Sequence, residues 1–422
     1  MAATAVVVGA SVGGVRTAQA LRAEGWPGRI VLVGAETEPP YDKPPLSKQV
    51  LAGAWEPAAA LLLQPGEAER DGLELRLGVR AERLHVAERE LVLAGGERLS
   101  YDVVVIATGA RARPSPWQPG SGVHVLRTLA DALELRAALA RPGHVVVVGG
   151  GFIGAEVAST ARALGCEVTL VDPLPVPMGR VLGEPVGQLF TELHERHGVH
   201  TRFGLGVERV TGSAGALEVE LTDGSRLEAT TVVVGIGAQP EDDWLADSGL
   251  LIDNGVVCDG SGRAQGAPAV YAVGDVARWH STRRGEHVRI EHWTSAVEQA
   301  ACVAHAITHP DEPRTHAAVE YVWSDQHDWR CQIVGVPSAG PQHEVLGDPT
   351  AVPARFGVVY RDGPQLRGAM CVNWPRGTSL TRRLLLGDEP ADAAVDQLRA
   401  LLAAAPKVRV VPAVPAAPVR TD

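Results

Sequence analysis

The sequence has few cysteines, and no two of them form a recognisable pair. The five cysteines of the 422-residue chain show neither Cys-x-x-Cys nor Cys-x4-Cys spacing, and they are Cys166, Cys258, Cys302, Cys331 and Cys371. Enzymes that relay electrons through thiols need a redox-active pair or one reactive cysteine beside the cofactor. We therefore interpret the cysteines as reduced, buried hydrophobic residues, and a thiol relay is poorly supported.

Long apolar runs, basic runs and aromatic residues are also scarce. No stretch approaches the roughly 20 apolar residues that span a bilayer, and aromatic residues make up only 4% of the chain. A net charge of −11 without a basic run disfavours nucleic acid as a partner. The sequence begins directly with a strand pattern and shows no leader, which predicts a cytoplasmic protein. The histidines show no metal-ligand spacing, so no metal site is predicted.

Two glycine-rich turns, each after a run of valines, stand 140 residues apart at Gly9 and Gly149. Around each turn the pattern predicts strand, helix and strand, first over 4–34 and again over 144–171. The second unit and its closing strand near 232–237 resemble a copy of the first unit. Two such turns predict two bound dinucleotides and electron transfer between them.

The second turn has the full dinucleotide-binding pattern, Gly149-x-Gly151-x-x-Gly154. The glycines permit a tight turn, close approach to a pyrophosphate and close helix packing. Asp172 ends the following strand, where a carboxylate can accept hydrogen bonds from ribose hydroxyls and repel a 2′-phosphate. The nearest following arginine is Arg180. The pattern therefore favours NADH over NADPH.

The first turn is less regular, because Ser11 replaces the middle glycine of Gly9-x-Ser11-x-x-Gly14. A serine can still permit close approach if its hydroxyl binds the phosphate. After the next strand, Ala35 precedes Glu36, and Glu36 is the candidate ligand for the adenine-side ribose.

The run Pro40-Tyr41-Asp42-Lys43-Pro44-Pro45-Leu46-Ser47-Lys48 resembles a signature of FAD-dependent NAD(P)H:ferredoxin reductases of the oxygenase-coupled family. Further matches occur in family order, and they include Ala107-Thr108-Gly109, Leu126-Arg127-Thr128, Gly235-Ile236-Gly237, Ala272-Val273-Gly274-Asp275, Ile290-Glu291-His292-Trp293 and Trp323-Ser324-Asp325-Gln326. The sequence departs from the family pattern at Ser11, Ala35 and Lys43.

The resemblance implies an α/β fold with two Rossmann-like dinucleotide-binding domains, as in glutathione-reductase-type flavoproteins, and an α+β C-terminal domain. It implies an FAD-binding domain over 1–113 and 240–318, an NAD-binding domain over 114–239 and a C-terminal interface domain over 319–422. We expect a loose tail, rich in Pro, Ala and Val, after the last helix near 391–404.

The resemblance also implies the site residues. Lys48 and Glu156 would form the catalytic pair beside the flavin. The FAD ligands would be Gly9, Ser11, Gly13, Gly14, Ala35, Glu36, Lys43, Pro45, Lys48, Glu82, Thr108, Gly109, Arg127, Gly274, Asp275, Trp293 and Trp323. The NAD ligands would be Gly149, Gly151, Phe152, Ile153, Gly154, Glu156, Asp172, Gly235, Ile236 and Gly237.

The implied activity is hydride transfer from NADH to FAD, followed by single-electron transfer to a small two-iron ferredoxin that feeds a monooxygenase or dioxygenase. Two alternatives stay open: an NADH oxidase or monodehydroascorbate-type reductase with a small acceptor, and an NADH-sensing flavoprotein. An acidic ferredoxin would need a local basic patch on this acidic chain. The candidates are Arg283-Arg284 with Arg289, and Arg376 with Arg382-Arg383.

Overall fold

The computed structural model describes residues 3–118, 120–141, 143–317 and 319–404, so the expected tail lies outside the described residues. The helices are α1 Val12–Ala23, α2 Glu67–Arg70, α3 Leu129–Leu139, α4 Phe152–Ala163, α5 Gly179–Leu182, α6 Glu184–Arg196, α7 Trp293–Thr308, α8 Pro375–Leu386 and α9 Ala391–Ala403.

Strands occur along the whole described part of the chain. They are β1 Thr4–Val8, β2 Arg29–Val33, β3 Leu73–Arg76, β4 Ala81–His85, β5 Glu90–Leu93, β6 Arg98–Ser100, β7 Val103–Ile106, β8 Ala110–Ala112, β9 Val123–His124, β10 His144–Val148, β11 Glu167–Asp172, β12 Val199–Phe203, β13 Val207–Ser213, β14 Ala216–Leu221, β15 Arg226–Ala229, β16 Thr231–Val234, β17 Ala238–Pro240, β18 Val256–Cys258, β19 Val270–Ala272, β20 Ala277–Ser281, β21 Glu286–Arg289, β22 Tyr321–Gln326, β23 Trp329–Gly335, β24 Gln342–Asp348, β25 Arg355–Asp362 and β26 Gln365–Val372.

The chain divides into two compact units. Unit 1 comprises Met1–Lys43, Ala58–Arg111 and Ala238–Glu320, and unit 2 comprises Pro44–Pro57, Ala112–Gly237 and Tyr321–Asp422. The short segment from Pro44 to Pro57 thus packs within unit 2 although it follows the first βαβ motif of unit 1. The assignment of domains to FAD, NADH and a partner interface stays a prediction.

Unit 1 is built on a parallel sheet in the order β19-β7-β1-β2-β3. Its central strands are continuous apolar runs with Val6, Leu32 and Ile106 fully buried, as expected for a parallel sheet covered on both faces. Smaller three-stranded sheets, β4-β5-β6 and β18-β20-β21, complete this unit.

Unit 2 repeats the motif with a second parallel sheet in the order β12-β11-β10-β16-β9. The strand, helix and strand predicted over 144–171 are confirmed as β10, α4 and β11.

The last third of the chain adds an antiparallel sheet, β22-β23-β26-β25-β24, followed by α8 and α9. Trp329 of this sheet packs edge-to-face against Phe190 of α6, with ring centroids 5.4 Å apart, and against Phe356, 5.0 Å away. These buried aromatic pairs stabilise the sheet against α6 within unit 2. The predicted fold class, with two Rossmann-like domains and an α+β C-terminal domain, is confirmed.

Candidate active site

The first glycine turn has a backbone path that only glycine allows. Gly9 has φ +119°, and a Cβ there would lie 2.1 Å from the carbonyl oxygen of Ala107. A Cβ at Gly14 would lie 1.8 Å from the carbonyl oxygen of Gly9. The turn therefore fits tightly against the end of β7 and brings α1 directly onto β1.

The amino end of α1 suits an anionic ligand. Ser11 is the N-cap residue, and its hydroxyl makes no capping bond to the helix. The first turn of α1 contains no acidic residue, and Gly13 and Gly14 both lie within it. The unsatisfied amides and the positive end of the helix dipole can therefore bind the pyrophosphate of FAD.

Glu36 is held by two neighbours just beyond β2. The Tyr41 hydroxyl donates a hydrogen bond to the Glu36 carboxylate. Lys43 Nζ lies 3.5 Å from Glu36 Oε1 and 5.1 Å from the centroid of the Tyr41 ring. Ala35, the neighbouring residue, is exposed. This geometry gives a fixed, half-buried carboxylate at the place where a ribose ligand is predicted.

Other predicted FAD ligands of unit 1 follow the carboxyl ends of neighbouring parallel strands, where open α/β sheets bind ligands. Thr108 and Gly109 follow β7, and the Thr108 hydroxyl donates to the carbonyl of Glu241 at 2.7 Å. Gly274 (φ +74°) and Asp275 follow β19. The structure therefore brings these residues to the same sheet edge as the Gly9 turn.

Two further predicted FAD ligands of unit 1 do not follow strands of the parallel sheet. Trp293 opens α7, and its indole N–H donates to Asp42 Oδ1 at 2.7 Å. Glu82 is exposed and lies in β4, in the separate three-stranded sheet.

The second glycine turn, in unit 2, is as tight as the first, and its middle position borders open space. A Cβ at Gly149 (φ +110°) would lie 2.3 Å from the carbonyl oxygen of Gly235, and one at Gly154 would lie 1.9 Å from that of Gly149. A Cβ at Gly151 would meet nothing within 4 Å. Gly151 therefore borders open space at the amino end of α4, as a site for a second pyrophosphate requires.

Asp172 is bonded to this turn. Its Oδ2 accepts a hydrogen bond from the Gly150 amide at 2.6 Å, and its Oδ1 accepts one from the Leu174 amide at 2.8 Å. Each oxygen keeps a further lone pair that a ribose hydroxyl can use. Asp172 thus shapes the turn as well as offering a ligand.

Exposed apolar side chains flank the second turn. Ile153 is 44% exposed and Ile236 is 38% exposed, although both are large hydrophobic residues. Phe152 is only partly buried against the cluster that contains Phe190. Gly237 (φ +105°) accepts a hydrogen bond from the Arg113 amide at 2.9 Å. Apolar surface beside an anion-binding turn fits a nucleotide cofactor.

Lys48 and Glu156 form the ion pair that the resemblance implies. Lys48 Nζ lies 2.6 Å from Glu156 Oε2, and the two side chains are 13% and 3% exposed. Pro45 is buried in the short 3₁₀ helix Pro44–Ser47 that precedes Lys48. The Thr160 hydroxyl of α4 donates to the carbonyl of Ser47 at 2.8 Å, which holds this segment on the helix that carries Glu156.

Two serine hydroxyls also donate hydrogen bonds to the Glu156 carboxylate. Ser47 Oγ donates to Glu156 Oε2 at 2.5 Å, and Ser324 Oγ donates to Oε1 at 2.7 Å. Ser324 accepts in turn from Gln326 Nε2 at 3.1 Å. Both serines lie in motifs that carry the resemblance, but no sequence pattern indicates that they bind Glu156. Charge-assisted bonds to both oxygens fix this buried carboxylate in one orientation.

The two remaining predicted FAD ligands of unit 2 are Arg127 and Trp323, and they lie in different segments of the unit. Arg127 precedes α3, and its backbone amide donates to Asp131 Oδ2 at 2.9 Å. Trp323 lies in β22 with its ring stacked near Tyr321, with 6.1 Å between centroids.

The five cysteines offer no accessible thiol, since all are free and buried. Burial raises the pKa of Cys302 to about 11 and that of Cys371 to about 12. It also raises the pKa of Cys166, Cys258 and Cys331. The thiolate is the reactive form, so these groups are poor electron relays.

Within the described ranges, no helix combines the length and the apolar character needed to cross a bilayer.

Comparison with protein families matches most of the chain. Residues 3–300 match the family described as pyridine nucleotide-disulphide oxidoreductase, and residues 321–402 match the reductase C-terminal family. The chain is 37% identical to the ferredoxin–NAD(+) reductase component of the anthranilate 1,2-dioxygenase system of Burkholderia cepacia, over 90% of this chain and 93% of that relative. It is 35% identical to putidaredoxin reductase of Pseudomonas putida, over 92% of each chain.

A solved structure gives the same result. The crystal structure of the covalent putidaredoxin reductase–putidaredoxin complex superposes with a TM-score of 0.88 at 32% identity, and the match covers 96% of this chain and 99% of that chain. The glycine turns, the free amides at the helix ends and the exposed isoleucines fit FAD and NADH. The chain therefore belongs to the pyridine nucleotide-disulphide oxidoreductase family, as an FAD-dependent ferredoxin reductase of the oxygenase-coupled type.

Proposed function

We propose that this protein takes electrons from NADH and delivers them singly to a small two-iron ferredoxin, which feeds a monooxygenase or dioxygenase. The observation that carries the proposal is the full-length match to ferredoxin reductase components, since the reductase C-terminal region is matched as well. The buried thiols also support electron transfer to an external acceptor, because none of the five cysteines is placed to act as a sulfur relay. FAD, when bound, accepts a hydride from NADH and returns its electrons one at a time.

The two turns divide the binding work in this proposal. The amides at the start of α1 hold the pyrophosphate of FAD, and Glu36, with Tyr41 and Lys43, binds its ribose. The amides at the start of α4 hold the pyrophosphate of NADH. Ile153 and Ile236 cover the apolar faces of the NADH molecule. Asp172 accepts the ribose hydroxyls and repels the additional phosphate of NADPH.

Lys48 supplies a fixed positive charge beside the flavin ring. A cation there stabilises electron density on the reduced ring. Glu156 pairs with the amine and holds it in one position, because the carboxylate is itself held by Ser47 and Ser324. The pair therefore acts by orientation and electrostatics rather than by transferring a proton.

The ferredoxin docks on α8 in this proposal. The alternative docking cluster, Arg283-Arg284 with Arg289, forms ion pairs that offset part of its positive charge. Arg284 lies 3.1 Å from Glu286, and Arg289 lies 2.5 Å from Glu291. On α8, Arg376 and Arg383 are exposed and Arg382 is half-buried. A basic helix surface suits an acidic partner on an otherwise acidic protein.

We also propose that the protein works in the cytoplasm. Five buried, unpaired cysteines fit a reducing compartment.

The direct test compares electron acceptors. The FAD-loaded protein is given NADH and then, in separate assays, a purified two-iron ferredoxin, oxygen or a quinone. Turnover with ferredoxin that exceeds the other rates by orders of magnitude supports the proposal. Faster turnover with a small acceptor favours the oxidase alternative, and slow reoxidation by every acceptor with NADH-dependent dimerisation favours the sensor.

A further inference from the structure

Three potential metal ligands meet where two helices of unit 1 end. Glu24 is the C-cap residue of α1, His305 lies in the last turn of α7, and His309 is the C-cap residue of α7. One ligand atom from each residue lies within 4.8 Å of the others. Glu24 Oε2 lies 3.3 Å from His305 Nδ1 and 3.7 Å from His309 Nδ1.

His305 is placed so that both of its ring nitrogens face acceptors. Its Nε2 lies 3.2 Å from the carbonyl oxygen of Glu312, and its Nδ1 faces the Glu24 carboxylate. A neutral imidazole has only one N–H. If Nε2 donates to Glu312, the lone pair of Nδ1 points at a carboxylate oxygen, and a cation between these two atoms removes the repulsion.

The surroundings favour a cation for a second reason. Both α1 and α7 direct their carboxyl ends to this place, and the carboxyl end of a helix carries a partial negative charge. The Glu24 carboxylate adds a full negative charge. A divalent cation between the three side chains can bind Glu24, His305 and His309 together.

We propose that Glu24, His305 and His309 form a binding site for a divalent transition metal, with Zn²⁺ as the best match. Two imidazoles and one carboxylate are typical zinc ligands, while Mg²⁺ and Ca²⁺ prefer oxygen donors alone. The Glu312 carbonyl fixes the tautomer of His305 and leaves Nδ1 for the metal, as outer partners of ligating histidines do. Water completes the coordination on the exposed side of His309.

One local movement is needed. The His305 and His309 rings are stacked, with centroids 4.4 Å apart and an angle of 13° between planes. His309 is about half exposed, at 48% of its side chain, so its ring can turn about the Cβ–Cγ bond until Nδ1 leaves the Thr308 hydroxyl, 2.9 Å away, and faces the ion. His305 is buried and keeps its position.

The metal would act structurally rather than in electron transfer. It would join the carboxyl ends of α1 and α7, whose amino ends begin at Val12 and Trp293, next to predicted FAD ligands. The histidine pattern alone predicts no metal site, because the third ligand, Glu24, lies 281 residues from His305 along the chain. This inference does not depend on the identity of the electron acceptor.

The test measures Zn²⁺ binding to the FAD-loaded protein after a chelator has removed bound metal. A competing chromogenic indicator reports affinity and stoichiometry, and the melting temperature is measured with and without Zn²⁺. The variants are His309→Ala and Glu24→Gln. His200→Ala is the matched control, because His200 is an exposed histidine 3.7 Å from a carboxylate, that of Glu167, in unit 2.

We expect one Zn²⁺ per chain in the unmodified protein and in the control. The affinity should fall at least about tenfold in both variants. Zn²⁺ should raise the melting temperature only where the site is intact, and Mg²⁺ should not raise it. The FAD spectrum confirms that each variant is folded. Equal affinity in the variants, no binding by the unmodified protein, or an equal effect of Mg²⁺ would each overturn the proposal.

Discussion

Lys48 Nζ lies 2.6 Å from Glu156 Oε2, although 108 residues separate the two in the chain. Ser47 and Ser324 donate to the same carboxylate, so Glu156 has a charged partner and two hydroxyl partners within unit 2. A carboxylate that is 3% exposed is stable only when its charge and its lone pairs are satisfied. The cluster therefore fixes the position of the Lys48 amine.

Replacing Ser324 should disturb this cluster without removing its charge. Ser324→Ala leaves Glu156 Oε1 and the buried Gln326 amide without a hydroxyl partner, which should lower the free energy of unfolding by about 1–3 kcal/mol. Flavin reduction by NADH should also slow, because the Lys48–Glu156 pair gains freedom. Chemical denaturation and anaerobic stopped-flow absorbance measure the two effects.

Ser379→Ala is the control for this change, because Ser379 is exposed on α8 and donates to the carbonyl of Pro375. It should change the free energy of unfolding by less than about 0.5 kcal/mol. If Ser324→Ala behaves like the control in both measurements, the serine does not position Glu156.

Changing Asp172 should affect nucleotide binding in two separable ways. Asp172→Asn keeps a carbonyl oxygen that can accept a hydrogen bond from the Leu174 or the Gly150 amide, but it loses the negative charge. We therefore expect the preference for NADH over NADPH to become weaker. Asp172→Ala also releases the turn and should raise KM for both nucleotides. Steady-state kinetics with each nucleotide checks this, and an unchanged NADH/NADPH ratio in both variants means that Asp172 is not the ribose ligand.

Buried histidines should make the protein sensitive to acid. Burial, with the neighbouring histidine His197, lowers the pKa of His194 from 6.5 to about 4, and burial with its histidine neighbours lowers that of His327 to about 2. A base with a lowered pKa in the folded state contributes stability above pH 6.5, and this is lost as the pH falls toward the folded pKa.

For His194 alone this loss should be on the order of 3 kcal/mol between pH 6.5 and 4. His194→Gln cannot be protonated, so its free energy of unfolding should fall less over that range. Urea denaturation at several pH values measures the difference. Parallel pH profiles for the variant and the unmodified protein would show that His194 does not cause the acid sensitivity.

Charge reversal on α8 should weaken ferredoxin binding alone. Replacing Arg382 and Arg383 by Glu should raise KM for ferredoxin about tenfold or more, because the encounter becomes repulsive. The rate of ferricyanide reduction by NADH should not change, because ferricyanide does not require the docking surface. The comparison is the replacement of Arg283 and Arg284 by Glu. A larger rise in the KM for ferredoxin in that variant would place the docking site at the Arg283-Arg284 cluster instead.

The parts of the site that local sequence specifies could be predicted. The turns at Gly9 and Gly149 require glycine because a Cβ would collide with backbone atoms, and such a demand is visible as a sequence pattern. The Lys48–Glu156 pair came from the family resemblance. The roles of Ser47 and Ser324 could not be predicted, since a hydroxyl has no sequence pattern that reveals a partner over a hundred residues away. The histidines at the end of α7 were not recognised as a metal site, because their third partner, Glu24, lies 281 residues from His305 along the chain.

The most direct measurement of the central claim follows flavin absorbance through two anaerobic mixing steps. NADH first bleaches the FAD-loaded protein, and a purified two-iron ferredoxin is then added to the reduced protein. We expect rapid reduction by NADH, slower or weaker reduction by NADPH, and full recovery of flavin absorbance as two equivalents of ferredoxin are reduced. A reduced protein that two-iron ferredoxins leave bleached, while oxygen or a quinone reoxidises it rapidly, would contradict the account.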